Sequence, residues 1–170
     1  VAGIGVPQLS AILAVKKGIK NNKIKIISDG GIKFSGDLVK ALAAGADAIM
    51  MGSIFAGTDE SPGKIFKVKN EMYKSYRGMG SIGAMAAGSS NRYFQKNFKD
   101  KSKFVPEGIE GRVKYKGSVS KIIYQLQGGL RSSMGYIGAK KINLINKKAK
   151  FIKITKAGFY ESMVHSVEMV

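Results

Sequence analysis

The sequence predicts an α/β fold, a parallel sheet with crossover helices. Helix-like and strand-like segments follow in the order α-β-α-β-α, the connections between them are short, and each strand-like run stops at glycine. Pro7 through Val15 places Leu9, Ile12, Leu13 and Val15 at helical spacing and runs into Lys16-Lys17-Gly18, a basic, glycine-terminated helix end. Lys23 through Ser28 reads as a strand, stopped by Asp29-Gly30-Gly31. Ser35 is placed to cap a second helix through Ala44, with Asp37 in its first turn and Gly45 just past its end. Ala48-Ile49-Met50-Met51 reads as a buried strand that stops at Gly52-Ser53, and Ser61-Pro62 reads as the opening of a third helix.

The rhythm then disappears. Met79 through Gly117 is dense in Gly, Ser, Lys and Asn and too long for an ordinary connection, so it is expected to be a functional loop or flap. Periodicity returns at Ser118, where Val119, Ile122, Ile123 and Leu126 mark one helical face before Gly128-Gly129 interrupts it. Phe151 through Thr155 reads as a late strand, the end as irregular, and no internal repeat is found.

Composition narrows the chemistry. The chain has 29 Lys and Arg against 11 Asp and Glu, a net charge of +18, yet 44% of its residues are apolar, which excludes a fully disordered polyelectrolyte. The absence of Cys in these 170 residues excludes disulfides and thiolate zinc sites, and a single His leaves little for imidazole chemistry. No membrane span or signal peptide is legible, so a cytoplasmic chain is expected. A basic chain first suggests nucleic acid. The distribution argues against it: twelve cations and no carboxylate lie between Gly111 and Tyr160, but they are scattered, mostly Lys, and carry no nucleic-acid motif, as expected of a solvated surface.

Asp29-Gly30-Gly31 and Gly52-Ser53 both fall where a parallel strand gives way to its loop, on the same end of the sheet. Glycine turns there let a phosphate approach backbone N–H groups, and a neighbouring carboxylate suits two vicinal ribose hydroxyls. The arrangement points to a nucleoside monophosphate; ordinary βα turns would show the same residues. Tyr76-Arg77-Gly78-Met79-Gly80-Ser81 is a third glycine-rich run, whose backbone could read a planar base edge and whose Tyr76 hydroxyl could reach a phosphate, or which could be a plain linker.

These residues carry a family. Ile27-Ser28-Asp29-Gly30-Gly31-Ile32, Met51-Gly52-Ser53, Tyr76 through Ser81, Asn91-Arg92-Tyr93-Phe94, Val105-Pro106-Glu107-Gly108, and Gly128-Gly129-Leu130-Arg131-Ser132-Ser133-Met134-Gly135-Tyr136 resemble, in order, inosine-5′-monophosphate dehydrogenase. The resemblance implies the C-terminal portion of a (β/α)8 TIM barrel with a long mobile flap and a C-terminal helix or strand. It divides the chain into the last βα units (1–78), a glycine-rich loop and flap (79–117) and a C-terminal helix and tail (118–170), without a CBS domain. It also implies a homotetramer that oxidises IMP to XMP with NAD and potassium. Asp29 would hold the ribose; Gly30, Gly31, Gly52, Ser53 and Tyr76 would surround the phosphate. Arg77 and Gly78 lie in the base-binding run, with Met79, Gly80 and Glu107 on the hypoxanthine. In such enzymes a Cys attacks C2 of IMP, hydride passes to NAD, and a flap then brings an Arg-Tyr pair, matched by Arg92 and Tyr93, to activate water. A guanidinium base has a pKa above about 12 and needs a strongly desolvated, hydrogen-bonded setting. Without the resemblance, Arg92-Tyr93 reads as a surface pair.

The resemblance also places Tyr136 at the adenosine end of a neighbouring subunit's NAD site, where a core Tyr covering a helix end is the plainer reading. Glu161-Ser162-Met163 stands where relatives carry a cation-binding run, with Met163 replacing a usual His; backbone carbonyls could still ligate potassium. The catalytic Cys and its loop would precede Val1, so the N-terminal portion of the enzyme is an expected partner and this chain alone is expected to be inactive. Guanosine monophosphate reductase shares the barrel and mononucleotide site but lacks the Arg-Tyr pair. A basic nucleic-acid-binding module and an inactive structural fragment are the remaining alternatives.

Overall fold

A computed structural model describes residues 3–21, 23–93 and 105–164. Val1, Ala2 and Phe94 of the sequence reading lie outside the described residues. The elements run α1 (Gln8–Gly18), β1 (Ile27–Asp29), α2 (Ser35–Ala44), β2 (Ala48–Met50), β3 (Ile65–Val68), β4 (Glu71–Arg77), α3 (Ile82–Ala86), β5 (Glu110–Lys114), α4 (Val119–Tyr136), α5 (Ile145–Lys148) and α6 (Lys156–Glu161), with 3-10 turns at Ser89–Tyr93 and Ile142–Leu144. This is an α/β architecture with two separate sheets.

β1 and β2 are parallel neighbours, Ile27 opposite Ala48 and Asp29 opposite Met50. Helices α1 and α2 bury their apolar faces beside them: Ile12, Ile26, Ile32, Leu38, Ala41, Ala44, Ala46 and Leu126 form one core. Ala43, Ala139 and Ile145 form a second, at the end of α2. Ile145 is completely buried, a contribution of about 1.5–3 kcal/mol for a side chain of its size. Asp47 ties the strands at their start, its carboxylate accepting from Ile26 N–H at 3.0 Å and from Lys25 Nζ at 3.3 Å.

Several expectations need correction. Ser35 is the first residue of α2, not its cap: Phe34 occupies the cap position, and the Asp37 carboxylate accepts from the Lys33 and Phe34 N–H groups, both at 3.1 Å. A carboxylate there satisfies orphan amides as well as a cap hydroxyl does. The first strand is shorter than Lys23–Ser28, and the second is not buried; Ile27 and Met50 are each about half exposed, because among the described residues no third strand or helix covers that face.

Ser61-Pro62 opens no helix. The segment turns into an antiparallel hairpin, Ile65 opposite Lys74 and Val68 opposite Glu71, so the loop is the two residues Lys69-Asn70. β5 adds to the other edge of β4, with Arg77 opposite Glu110. The stretch 79–117, expected to be loop or flap throughout, thus contains α3 and β5 among its described residues. Gly128-Gly129 does not interrupt α4, since helical hydrogen bonding and packing on α2 outweigh about 1 kcal/mol per glycine. Phe151–Thr155 is not a strand, since it pairs with no strand among the described residues; Thr155 instead caps α6, its hydroxyl accepting from Gly158 N–H at 3.1 Å, so a short helix follows at Lys156–Glu161 where irregular chain was expected.

Candidate active site

The carboxyl ends of β1 and β2 lead into the two glycine turns. Gly30 and Gly31 both adopt left-handed backbone, φ 89° and 76°, which a side chain would strain, and Gly30 N–H donates to Met50 C=O at 3.3 Å across the strands. Gln8, a residue the sequence reading passed over, braces this turn: its Nε2 donates to the Asp29 carbonyl at 2.9 Å and to the Ser28 hydroxyl at 3.2 Å. Asp29 is exposed at the strand's end. Gly52 starts the other turn, its carbonyl accepting from Phe55 and Ala56 N–H at 3.0 and 3.1 Å, with Ser53 exposed beside it.

Past Gly52 opens a cleft of about 1160 Å³. Ser61-Pro62-Gly63 line it alongside the end of β4 with Tyr76, Arg77, Gly78 and Met79, Gly63 abutting the Ser75 carbonyl; Arg92 and Glu110 line it from the 3-10 turn and β5. Two guanidiniums and one carboxylate give the cleft a positive balance, suited to an anionic ligand. Glu110 accepts from Gly83 N–H at 2.8 Å and Arg77 donates to the Gly83 carbonyl at 3.4 Å, which fixes the start of α3 between β4 and β5. The Met79 carbonyl accepts from the Ser89 hydroxyl at 2.6 Å, holding the segment that carries Arg92.

Behind this wall, Gly80, Glu107 and Tyr93 meet. The Gly80 carbonyl accepts from the Glu107 and Gly108 N–H groups at 2.9 and 3.0 Å, and a Cβ on Gly80 would stand only 3.0 Å from Tyr93 Cζ. The structure thus brings Gly52, Tyr76, Arg77, Gly78, Met79 and Arg92 onto one cleft and sets Gly80 against both Glu107 and Tyr93. It does not bring Asp29, Gly30, Gly31 or Ser53 into the lining. Tyr136 is elsewhere, the last residue of α4, with 92% of its surface exposed. Glu161, Ser162 and Met163 form the closing turn of α6, where Ser162 and Met163 N–H groups donate back to Gly158 and Tyr160.

Ser61, Pro62, Gly63, Ser75 and Glu110 were not foreseen as cleft residues. A signal existed: two short runs rich in β-branched and aromatic residues, Ile65-Phe66-Lys67-Val68 and Met72-Tyr73-Lys74-Ser75-Tyr76, flank Lys69-Asn70, a strand composition that would have turned Ser61-Pro62-Gly63 from a helix start into a turn.

Glycine turns at the carboxyl ends of parallel strands, one of them beside a large cleft whose charged lining is two arginines and one glutamate, define an α/β protein with an edge suited to an anionic ligand. The chain belongs to the IMP dehydrogenase / GMP reductase domain family, whose model matches residues 1–165. Inosine-5′-monophosphate dehydrogenase of Aquifex aeolicus is 55% identical over 170 residues, 99% of this chain and 34% of the relative. That of Cryptosporidium parvum is 54% identical over 170 residues, 100% of this chain and 42% of the relative. A crystal structure of GMP reductase from Trypanosoma brucei in complex with guanosine 5′-monophosphate matches with a TM-score of 0.85 at 43% identity, covering 99% of this chain and 33% of that one. The chain therefore spans about a third of the length of these relatives, somewhat more of the Cryptosporidium one.

Proposed function

We propose that this chain is the C-terminal portion of the catalytic (β/α)8 barrel of a cytoplasmic, homotetrameric IMP dehydrogenase, which oxidises IMP to XMP. The observation that carries the reading is Arg92 on the wall of the cleft formed by Gly52 and Tyr76-Arg77-Gly78-Met79, with Tyr93 packed on Gly80. An Arg-Tyr pair beside a mononucleotide cleft is what hydrolysis needs and reduction does not. In this reading Gly30, Gly31, Gly52, Ser53 and Tyr76 surround the phosphate. Asp29 accepts from the ribose hydroxyls, and Met79, Gly80 and Glu107 face the base, with Arg77 and Gly78 shaping the run between. The half-exposed faces of Ile27 and Met50 are then where the remaining barrel strands pack, contributed by the N-terminal portion that carries the catalytic Cys.

NAD, when bound, accepts the hydride. An aromatic ring 92% exposed at the end of α4 fits a role across a subunit boundary, so Tyr136 would stack on its adenosine end. The closing turn of α6 presents backbone carbonyls, oxygen donors whose chemistry would fit potassium at Glu161, Ser162 and Met163. Arg92→Ala in the complete enzyme tests the division of labour. It should still give a single burst of NADH and then stall with nucleotide covalently attached, detectable by mass spectrometry. Loss of the burst itself would assign Arg92 to an earlier step. GMP reductase is the second reading, favoured by the match to the GMP-bound trypanosome structure; NADPH-dependent conversion of GMP to IMP by the same preparation would select it.

A further inference from the structure

Among the described residues Lys74 is the only charged side chain that is buried, at 2% exposure. Its ammonium donates to the backbone carbonyls of Thr58 and Ser61, each at 2.5 Å, and of Asp59 at 3.2 Å. An ammonium has three donors, and here three carbonyls of one turn meet them. Burying a cation is costly unless such charge-assisted bonds offset the lost hydration. The turn it grips leads directly into Ser61-Pro62-Gly63, one wall of the cleft.

The next residue on β4 grips the far end of the same segment. Ser75 N–H donates to the Lys64 carbonyl at 2.9 Å, the Ser75 hydroxyl accepts from Lys64 N–H at 2.8 Å, and Gly63 lies so near the Ser75 carbonyl that a Cβ would overlap it. From Ser75 the strand continues into Tyr76-Arg77, which also line the cleft. The placement of Ser61-Pro62-Gly63 beside them is therefore fixed by two consecutive residues, one through a buried cation and one through hydrogen bonds to Lys64.

We propose that Lys74 is a positioning residue for the nucleotide cleft, its ammonium latching the 58–61 turn so that Ser61-Pro62-Gly63 is held in place beside Tyr76 and Arg77 in the cleft lining. The ligand part rests on reading the cleft as a mononucleotide site; the latch itself does not. The test is Lys74→Met in the complete enzyme, a substitution of similar length that removes the three donors. Hydrogen exchange without ligand should show protection lost at the amides of residues 57–64 and retained in α2 and α4. IMP affinity by calorimetry should fall tenfold or more, with the NAD KM changed less than threefold. An IMP affinity lowered less than threefold, or protection lost equally through α2 and α4 with both substrates affected alike, overturns the proposal and leaves Lys74 a brace of the whole fold. If Lys74→Met does not fold, Ser75→Ala probes the same spacing without stranding buried carbonyls, and IMP affinity lowered less than threefold there also overturns it. A parent enzyme that binds no IMP would defeat the mononucleotide reading, and the exchange arm would still judge the latch.

Discussion

Asp29 ends β1 immediately before two left-handed glycines, with its carbonyl held by Gln8, so its carboxylate stands on a braced turn rather than a loose one. Asp29→Ala in the complete enzyme should remove two hydroxyl hydrogen bonds to a charged acceptor and cost about 2–4 kcal/mol of IMP binding. Unchanged affinity in calorimetry would refute the ribose assignment. Glu60 works differently, through folding. Its carboxylate accepts from Val119 N–H at 2.8 Å and from the Ser118 hydroxyl at 3.0 Å, tying α4 to the turn that Lys74 grips. The Val119 amide above all, then its own amide and the Ser118 hydroxyl, hold the Glu60 carboxyl below the ordinary glutamate value. A folded-state pKa lowered in this way contributes stability that is present above the unfolded value and is lost as pH falls through the folded one. Urea midpoints should therefore drop on acidification from roughly pH 5 to pH 3, and drop less in Glu60→Gln, which has no carboxyl to protonate. Equal drops in parent and variant would remove Glu60 from the acid response.

At the scale of elements, α4 shows local propensity yielding to packing. Its paired glycines look like a break in the sequence, but they are two different positions on one continuous helix. A Cβ at Gly128 would meet nothing within 4 Å, whereas at Gly129 it would overlap both the hydroxyl and the Cβ of Ser35 at the start of α2. Gly128→Ala should stabilise by about 1 kcal/mol through helix propensity. Gly129→Ala should destabilise by about 1–3 kcal/mol, because no rotation of Ser35 moves its Cβ away. Thermal or urea unfolding of the two variants, measured side by side, checks the opposite signs. The hairpin of β3 and β4 illustrates the reverse: its β-branched and aromatic residues favour strands, but Pro62 after Ser61 gave a competing helix-start signal, and only the pairing of Ile65 with Lys74 decides between them.

For the whole molecule, the charge of +18 is balanced by few carboxylates, and several of these serve as local ties: Asp47 to Lys25, Glu71 to Lys114, Asp37 to Lys40. These pairs are exposed, so each contributes little. The proposed assembly makes a sharper claim at Tyr136. Tyr136→Ala in the complete enzyme should raise the NAD KM several-fold, about 1 kcal/mol of lost stacking, while the IMP KM stays nearly constant. Equal effects on both substrates, or loss of the tetramer by light scattering, would mean that the ring packs at an interface instead.

The sequence by itself determined the parallel βα rhythm, α1 and α2, the glycine turns and the six motif segments that identify the family, because these depend on periodicity, capping and residue identity along a short stretch of chain. The tertiary structure decided what depends on partners distant in sequence. Asp37 rather than Ser35 supplies the side-chain acceptor at the start of α2, for the Lys33 and Phe34 amides, and Gly129 meets Ser35. Phe151–Thr155 finds no strand to pair with among the described residues, and Lys74 turns inward to three carbonyls where a lysine on a strand would be expected to face water. A charged side chain reads as surface until the chain supplies enough acceptors to replace its water, and no local pattern reveals that supply.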